Sequence, residues 1–154
     1  MSRFPDTIKR LHRYIPVFVP TAVVLALILW LTLAPHPVGD MEVPWFEGVD
    51  KVVHSIMFFA LTLTALFDEM RMKGWNAVRL PLISMTVVAG GVIGCIIEIL
   101  QDYLGMGRSM EFLDAVADCF GAVLAGILWI VIEQAHLRRH SFKGRTQDNS
   151  DNNN

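Results

Sequence analysis

Charge is what this chain has least of. Asp, Glu, Lys and Arg make up 18% of its 154 residues, against roughly 25% in soluble domains. Hydrophobic residues make up 53% and come in long blocks. The shortage argues against a soluble domain and for an integral membrane protein folded as one domain. Cysteine is nearly absent too. Cys95 and Cys119 are the only two, both inside apolar runs, where they read as small buried hydrophobes rather than a disulfide framework. No internal repeat is visible. P-loop, dinucleotide, G-x-S-x-G, H-E-x-x-H and C-x-x-C patterns are all missing, so no nucleotide site, hydrolase elbow or standard metal motif is written in the chain.

Four apolar runs account for most of what is present. Residues 1–13 form a basic head with Arg3, Lys9, Arg10 and Arg13. Residues 14–34 are uncharged and long enough to cross roughly 30 Å of hydrocarbon as a helix. Pro16 and Pro20 fall in its first turns, where proline disturbs a helix least. A basic head before an apolar run also describes a secretory signal. The length of the run, Pro35 after Ala34 and Thr32 before it argue instead for a retained helix. The second run, residues 52–67, spans only with its Asp50-Lys51 end at the interface. Residues 68–79 follow as a polar turn, with Asp68 and Glu69 as a helix end. The third run covers residues 80–101. Its Gly90/Gly94 pair permits close helix contact, as does Ala122/Gly126 on the fourth. In the fourth, only residues 119–132 are uncharged, so the helix must begin near Phe112 and carry Asp114 and Asp118 into the membrane or its edge. Residues 136–154 read as a polar tail too hydrophilic to pack.

The distribution of cations orients these runs. Eleven of the 13 lysines and arginines lie in the head, the turn after the second run and the tail. The positive-inside rule puts all three in the cytoplasm. The expected architecture is an all-α bundle of four transmembrane helices spanning residues 14–135, with both termini cytoplasmic. Trp30 and Trp45 then fall near the outer interface, Trp75 and Trp129 near the inner one.

A polar knot stands between the third and fourth runs. Glu98 and Gln101 are three residues apart and share a helix face, as do Asp114 and Asp118 at a spacing of four. Asp50 and His54 are one turn apart on the second run. With Lys51 and Arg108, these groups lie at one depth at the outer end. Ionisable groups in a span usually face a bundle interior or a water-filled cavity and mark function.

These residues resemble a known family. Asp50-Lys51-Val52-Val53-His54 with Phe58, and Glu98-x-x-Gln101 followed by Gly107-Arg108-Ser109 and Asp114-x-x-x-Asp118-x-x-Gly121, are similar to the VanZ-like family of bacterial membrane proteins. The resemblance runs from about Asp50 to Gly126. The family pattern usually has Asn where this chain has Asp118. The resemblance implies a multi-pass protein of the bacterial inner membrane with a role in the cell envelope. Through the founding member, it also implies a link to resistance against the glycopeptide teicoplanin. It implies no established reaction.

The residues themselves make His54, Glu98 and Asp114 the candidates for acid–base chemistry, His54 because its ordinary pKa of about 6.5 suits proton transfer. Asp50, Lys51, Gln101, Arg108 and Asp118 are the candidates for binding, with Arg108 able to grip a phosphate or carboxylate with two hydrogen bonds. His54, Glu98, Asp114 and Asp118 are donors that suit a divalent ion, but no ligand spacing accompanies them, and neither a metal nor a cofactor is expected. Asp102 and Glu111 read as solvated loop charges. The expected function is binding, with or without modification, of an anionic amphiphile or envelope precursor, in contact with membrane lipids and not with nucleic acid. A small transporter or proton pathway and a structural bundle with a buried ion-pair network are the two alternatives.

Overall fold

The computed structural model describes residues 16–34, 48–74, 78–104 and 111–151, with side chains as far as Arg138. Arg108, Trp45 and Trp75 lie outside the described residues. Four helices follow one another: α1 (Val19–Leu33), α2 (Val49–Lys73), α3 (Leu80–Leu104) and α4 (Phe112–Asp151). No strand occurs among the described residues. Helices α2, α3 and the Phe112–Arg138 part of α4 are each long and apolar enough to cross a membrane.

Several local features depart from expectation. Helix α1 has 15 residues, about 22 Å at 1.5 Å per residue, and Pro16 lies before it. Helix α2 does not stop at Phe67. It runs through Asp68 and ends at Gly74, whose φ of 84° suits glycine and whose N–H donates to Met70 O at 2.8 Å. At its other end Gly48 has φ 95°. Helix α4 starts at Phe112 and continues to Asp151, through the segment expected to be a polar tail. Trp129 belongs to the core, not to an interfacial belt. Both cysteines are free and exposed rather than buried, because residues 95 and 119 fall on outward faces.

Chain neighbours pack antiparallel, as the contacts at the two ends require. Gln101 Nε2 near the end of α3 donates to Thr32 O near the end of α1 at 3.0 Å. His54 near the start of α2 meets Asp118 near the start of α4 at 2.9 Å. At the opposite end, Thr21 on α1 meets Asp68 on α2. Helices α2 and α4 form the most extensive contact, and α1 packs on α2 and α3. Small residues set the spacing. A Cβ on Gly94 would sit 2.7 Å from Asp118 Cβ, one on Gly90 3.3 Å from Ala122 Cβ, and one on Gly121 would strike the Ser55 carbonyl of α2.

Two apolar clusters fill the interior. Ile28, Phe58, Leu61 and Ile97 pack in one, Leu66, Val78, Ile83 and Trp129 in the other. Outside, apolar side chains are left open: Val23 and Ile56 are each 61% exposed and Met85 71%, while His54, Asp68, Glu98 and Asp118 are at most 2% exposed. A water-soluble protein sorts these groups the other way. Greasy outside and charged inside is the arrangement that hydrocarbon surroundings favour.

Candidate functional site

His54, Glu98 and Asp118 come from three helices and meet at one level. Each is fixed by where its helix begins or ends. His54 lies one turn into α2, Asp118 two turns into α4, and Glu98 two turns before the end of α3. Glycines bring the backbones close enough for the side chains to touch. Gly94, one turn before Glu98, lets α3 lie against Asp118, and Gly121 lets α4 lie against α2 at Ser55. Ser55 Oγ then donates to Ala117 O at 2.9 Å across the same seam.

His54 Nδ1 lies 2.9 Å from Asp118 Oδ1 and 3.8 Å from Glu98 Oε1. Against an ionised carboxylate, which only accepts, Nδ1 must carry the proton. Glu98 Oε2 accepts the backbone N–H of Glu111 at 3.2 Å, which ties the end of α3 to the start of α4. Asp118 Oδ2 and Glu98 Oε1 are buried with no hydrogen-bond partner among the described residues.

A more open group flanks this core. Lys51 Nζ pairs with Glu111 Oε2 at 2.9 Å and with Asp114 Oδ1 at 3.2 Å. One ligating atom each from Asp50, His54 and Asp114 fall within 4.8 Å of one another, and so do one each from His54, Glu98 and Asp118. The structure therefore gathers Asp50, Lys51, His54, Glu98, Asp114 and Asp118 at one end. Gln101 joins them by holding α1. Arg108 is the candidate on which the described residues are silent. Glu111 is not merely a solvated charge, since both its carboxylate and its N–H are engaged. Asp102 is exposed.

Beside the cluster, between α2 and α4, runs a groove of about 470 Å³. Lys51 and Ser55 stand at its polar end, and Phe59, Val116, Phe120 and Leu124 form its apolar length. Its walls face the same outward surface that carries the exposed apolar side chains.

The opposite end holds a second buried charge that sequence reasoning took for a helix end. Asp68 is fully buried. It accepts the Thr21 hydroxyl at 2.7 Å and the Thr21 N–H at 3.3 Å, with Arg71 at 3.4 Å. The signal was there: Asp68 lies seven residues after Leu61 and 14 after His54, on one face of α2.

Compared with known proteins, the chain matches no family model, no curated protein and no solved structure.

Proposed function

We propose that this is a VanZ-like envelope protein of the bacterial inner membrane, a four-span bundle with both termini in the cytoplasm. Its outer end binds an anionic amphiphile. The observation that carries the reading is that Lys51, which pairs with Asp114 of the polar cluster, also lines the apolar groove. A lipid chain would lie along Phe59, Val116 and Phe120, and its headgroup would reach Lys51 and the buried carboxylate–histidine centre beyond it. The groove opens on an apolar surface, where its neighbours in a membrane are lipid chains rather than water. An amphiphile fits such a site because one end is apolar and the other polar. If the bound molecule is modified, His54 and Glu98 are the acid–base pair. The link to glycopeptide resistance rests on the resemblance of the motifs alone.

A proton pathway fits less well. The hydroxyls of Thr64, Ser84 and Thr86 donate back to carbonyls of their own helices. His54 and Asp68 are 14 residues apart on α2, about 21 Å, and of the residues buried between them Phe58, Leu61 and Leu66 are apolar, with the Thr62 hydroxyl alone too short to bridge the gap.

The test is photolabelling of the full-length protein in vesicles containing a phospholipid with a photoreactive acyl chain. Labels are expected on peptides covering residues 52–59 and 113–124. Val116→Trp, which fills the groove from an exposed position, should remove them. Even labelling of the outward faces of α1 and α3, unchanged by Val116→Trp, would rule the reading out.

A further inference from the structure

We infer that His54, Glu98 and Asp118 form a binding site for one divalent transition-metal ion. Three independent observations support this. The first is geometric. One ligating atom from each residue lies within 4.8 Å of the other two. In a tetrahedral zinc site, with bonds of about 2.0–2.1 Å, ligand atoms stand about 3.3 Å apart. The separations of 2.9 Å and 3.8 Å from His54 Nδ1 straddle that value. Both lie within about half an ångström of it.

The second observation is unspent bonding capacity. Asp118 Oδ2 and Glu98 Oε1 have no hydrogen-bond partner among the described residues, and their residues are 0% and 1% exposed. Glu98 Oε1 is aimed at the imidazole from beyond hydrogen-bond range. Buried polar atoms are ordinarily paired; Glu98 Oε1 faces the imidazole, and Asp118 Oδ2 faces Gly94 on α3.

The third is charge. Two carboxylates confront one imidazole, which can supply at most one positive charge. Lys51 is committed to Glu111 and Asp114. A divalent ion would take the place of the proton on Nδ1, balance both carboxylates and leave His54 a neutral ligand with its proton on Nε2, as imidazole is in metal sites. One nitrogen and two oxygen donors suit zinc, manganese or ferrous iron.

Three protein ligands leave a coordination position open, as in sites that bind an exchangeable ligand. On the reading of the groove as a lipid site, the fourth ligand is a phosphate or carboxylate oxygen of the headgroup. That clause rests on the proposed function, whereas the ion site does not. The ion also explains how an acid-rich pocket could hold an anion, which its carboxylates would otherwise repel.

The experiment uses the full-length chain without an affinity tag, in detergent, stripped with a chelator and titrated with Zn²⁺ and Mn²⁺. Metal content is counted by mass spectrometry. One equivalent per chain is expected. Asp118→Asn and Glu98→Gln should each weaken binding at least tenfold, and Asp102→Asn should not. Because free thiols also bind zinc, the equivalent must persist in a Cys95→Ser, Cys119→Ser chain. If either carboxylate variant fails to fold, a Zn²⁺-dependent rise in the thermal midpoint of the thiol-free protein reports the same site. Absence of a bound equivalent in that folded protein, or binding indifferent to both carboxylate substitutions, overturns the inference. Lipid labelling that survives chelation unchanged overturns the headgroup clause alone, and loss of groove labelling on chelation supports it.

Discussion

Glu98 shows how much one side chain is asked to do. Oε2 holds the N–H of Glu111, and Oε1 faces His54. Glu98→Gln keeps the volume and one acceptor but can carry neither charge nor a proton. The expected result is a folded protein, within about 1 kcal/mol of the parent by thermal melting, that no longer labels at the groove. A variant that unfolds outright would make Glu98 a structural residue. Asp68 should behave differently. Asp68→Ala removes the acceptor of both Thr21 donors, and leaving buried groups unpaired costs on the order of 1–3 kcal/mol. Melting of Asp68→Ala, Thr21→Ala and the double variant should give a favourable coupling energy, while groove labelling stays as in the parent. Additive effects would show that the pair is not a link. His54, Glu98, Asp114 and Asp118 were legible in the sequence because a charge inside an apolar run stands out. Asp68 was hidden because it opens the polar stretch Asp68-Glu69-Met70-Arg71, which composition reads as the end of a helix. The pairing of His54 with Asp118 was not legible, since composition does not say which acid on which helix an imidazole will meet.

At the level of helices, the seams are set by what is small. Gly94→Ala would press a methyl group to 2.7 Å from Asp118 Cβ and Oδ2, and Gly121→Ala would press one onto the backbone carbonyl of Ser55. Overpacking typically costs about 1–3 kcal/mol. The Gly121 variant should be the worse of the two, because its methyl group would meet backbone atoms of both Ser55 and Phe59 and come closer to the Ser55 carbonyl than the Gly94 methyl comes to Asp118. Thermal melting of both variants in detergent checks the order; equal midpoints would mean that α2 can shift away freely. The small-residue pairs were read correctly as packing faces, and the start of α4 at Phe112 followed from the shortness of its uncharged part. The length of α2 was underestimated. Hydropathy marks where greasy residues end, but backbone hydrogen bonds and a glycine with positive φ decide where the helix ends.

For the molecule as a whole, the proposed topology rests on the cation split, and it would put the site at the extracytoplasmic end. A reporter fused after Ala135 should be active only as a cytoplasmic fusion; extracytoplasmic activity would invert the site and remove the envelope reading. The helix–helix bond at the centre of the site also has a consequence in time. His54 and Asp118 are 64 residues apart in sequence. A ribosome adding roughly 5–20 residues per second needs about 3–13 seconds to supply the second after the first. For that interval the nascent α2 carries an imidazole whose partner has not yet been made. Chains halted before Phe112 should therefore be cleared by quality-control proteolysis faster than the finished protein, and a pulse-chase of the two would measure it. The same bond that assembles the site would then serve the cell as the mark of a completed chain.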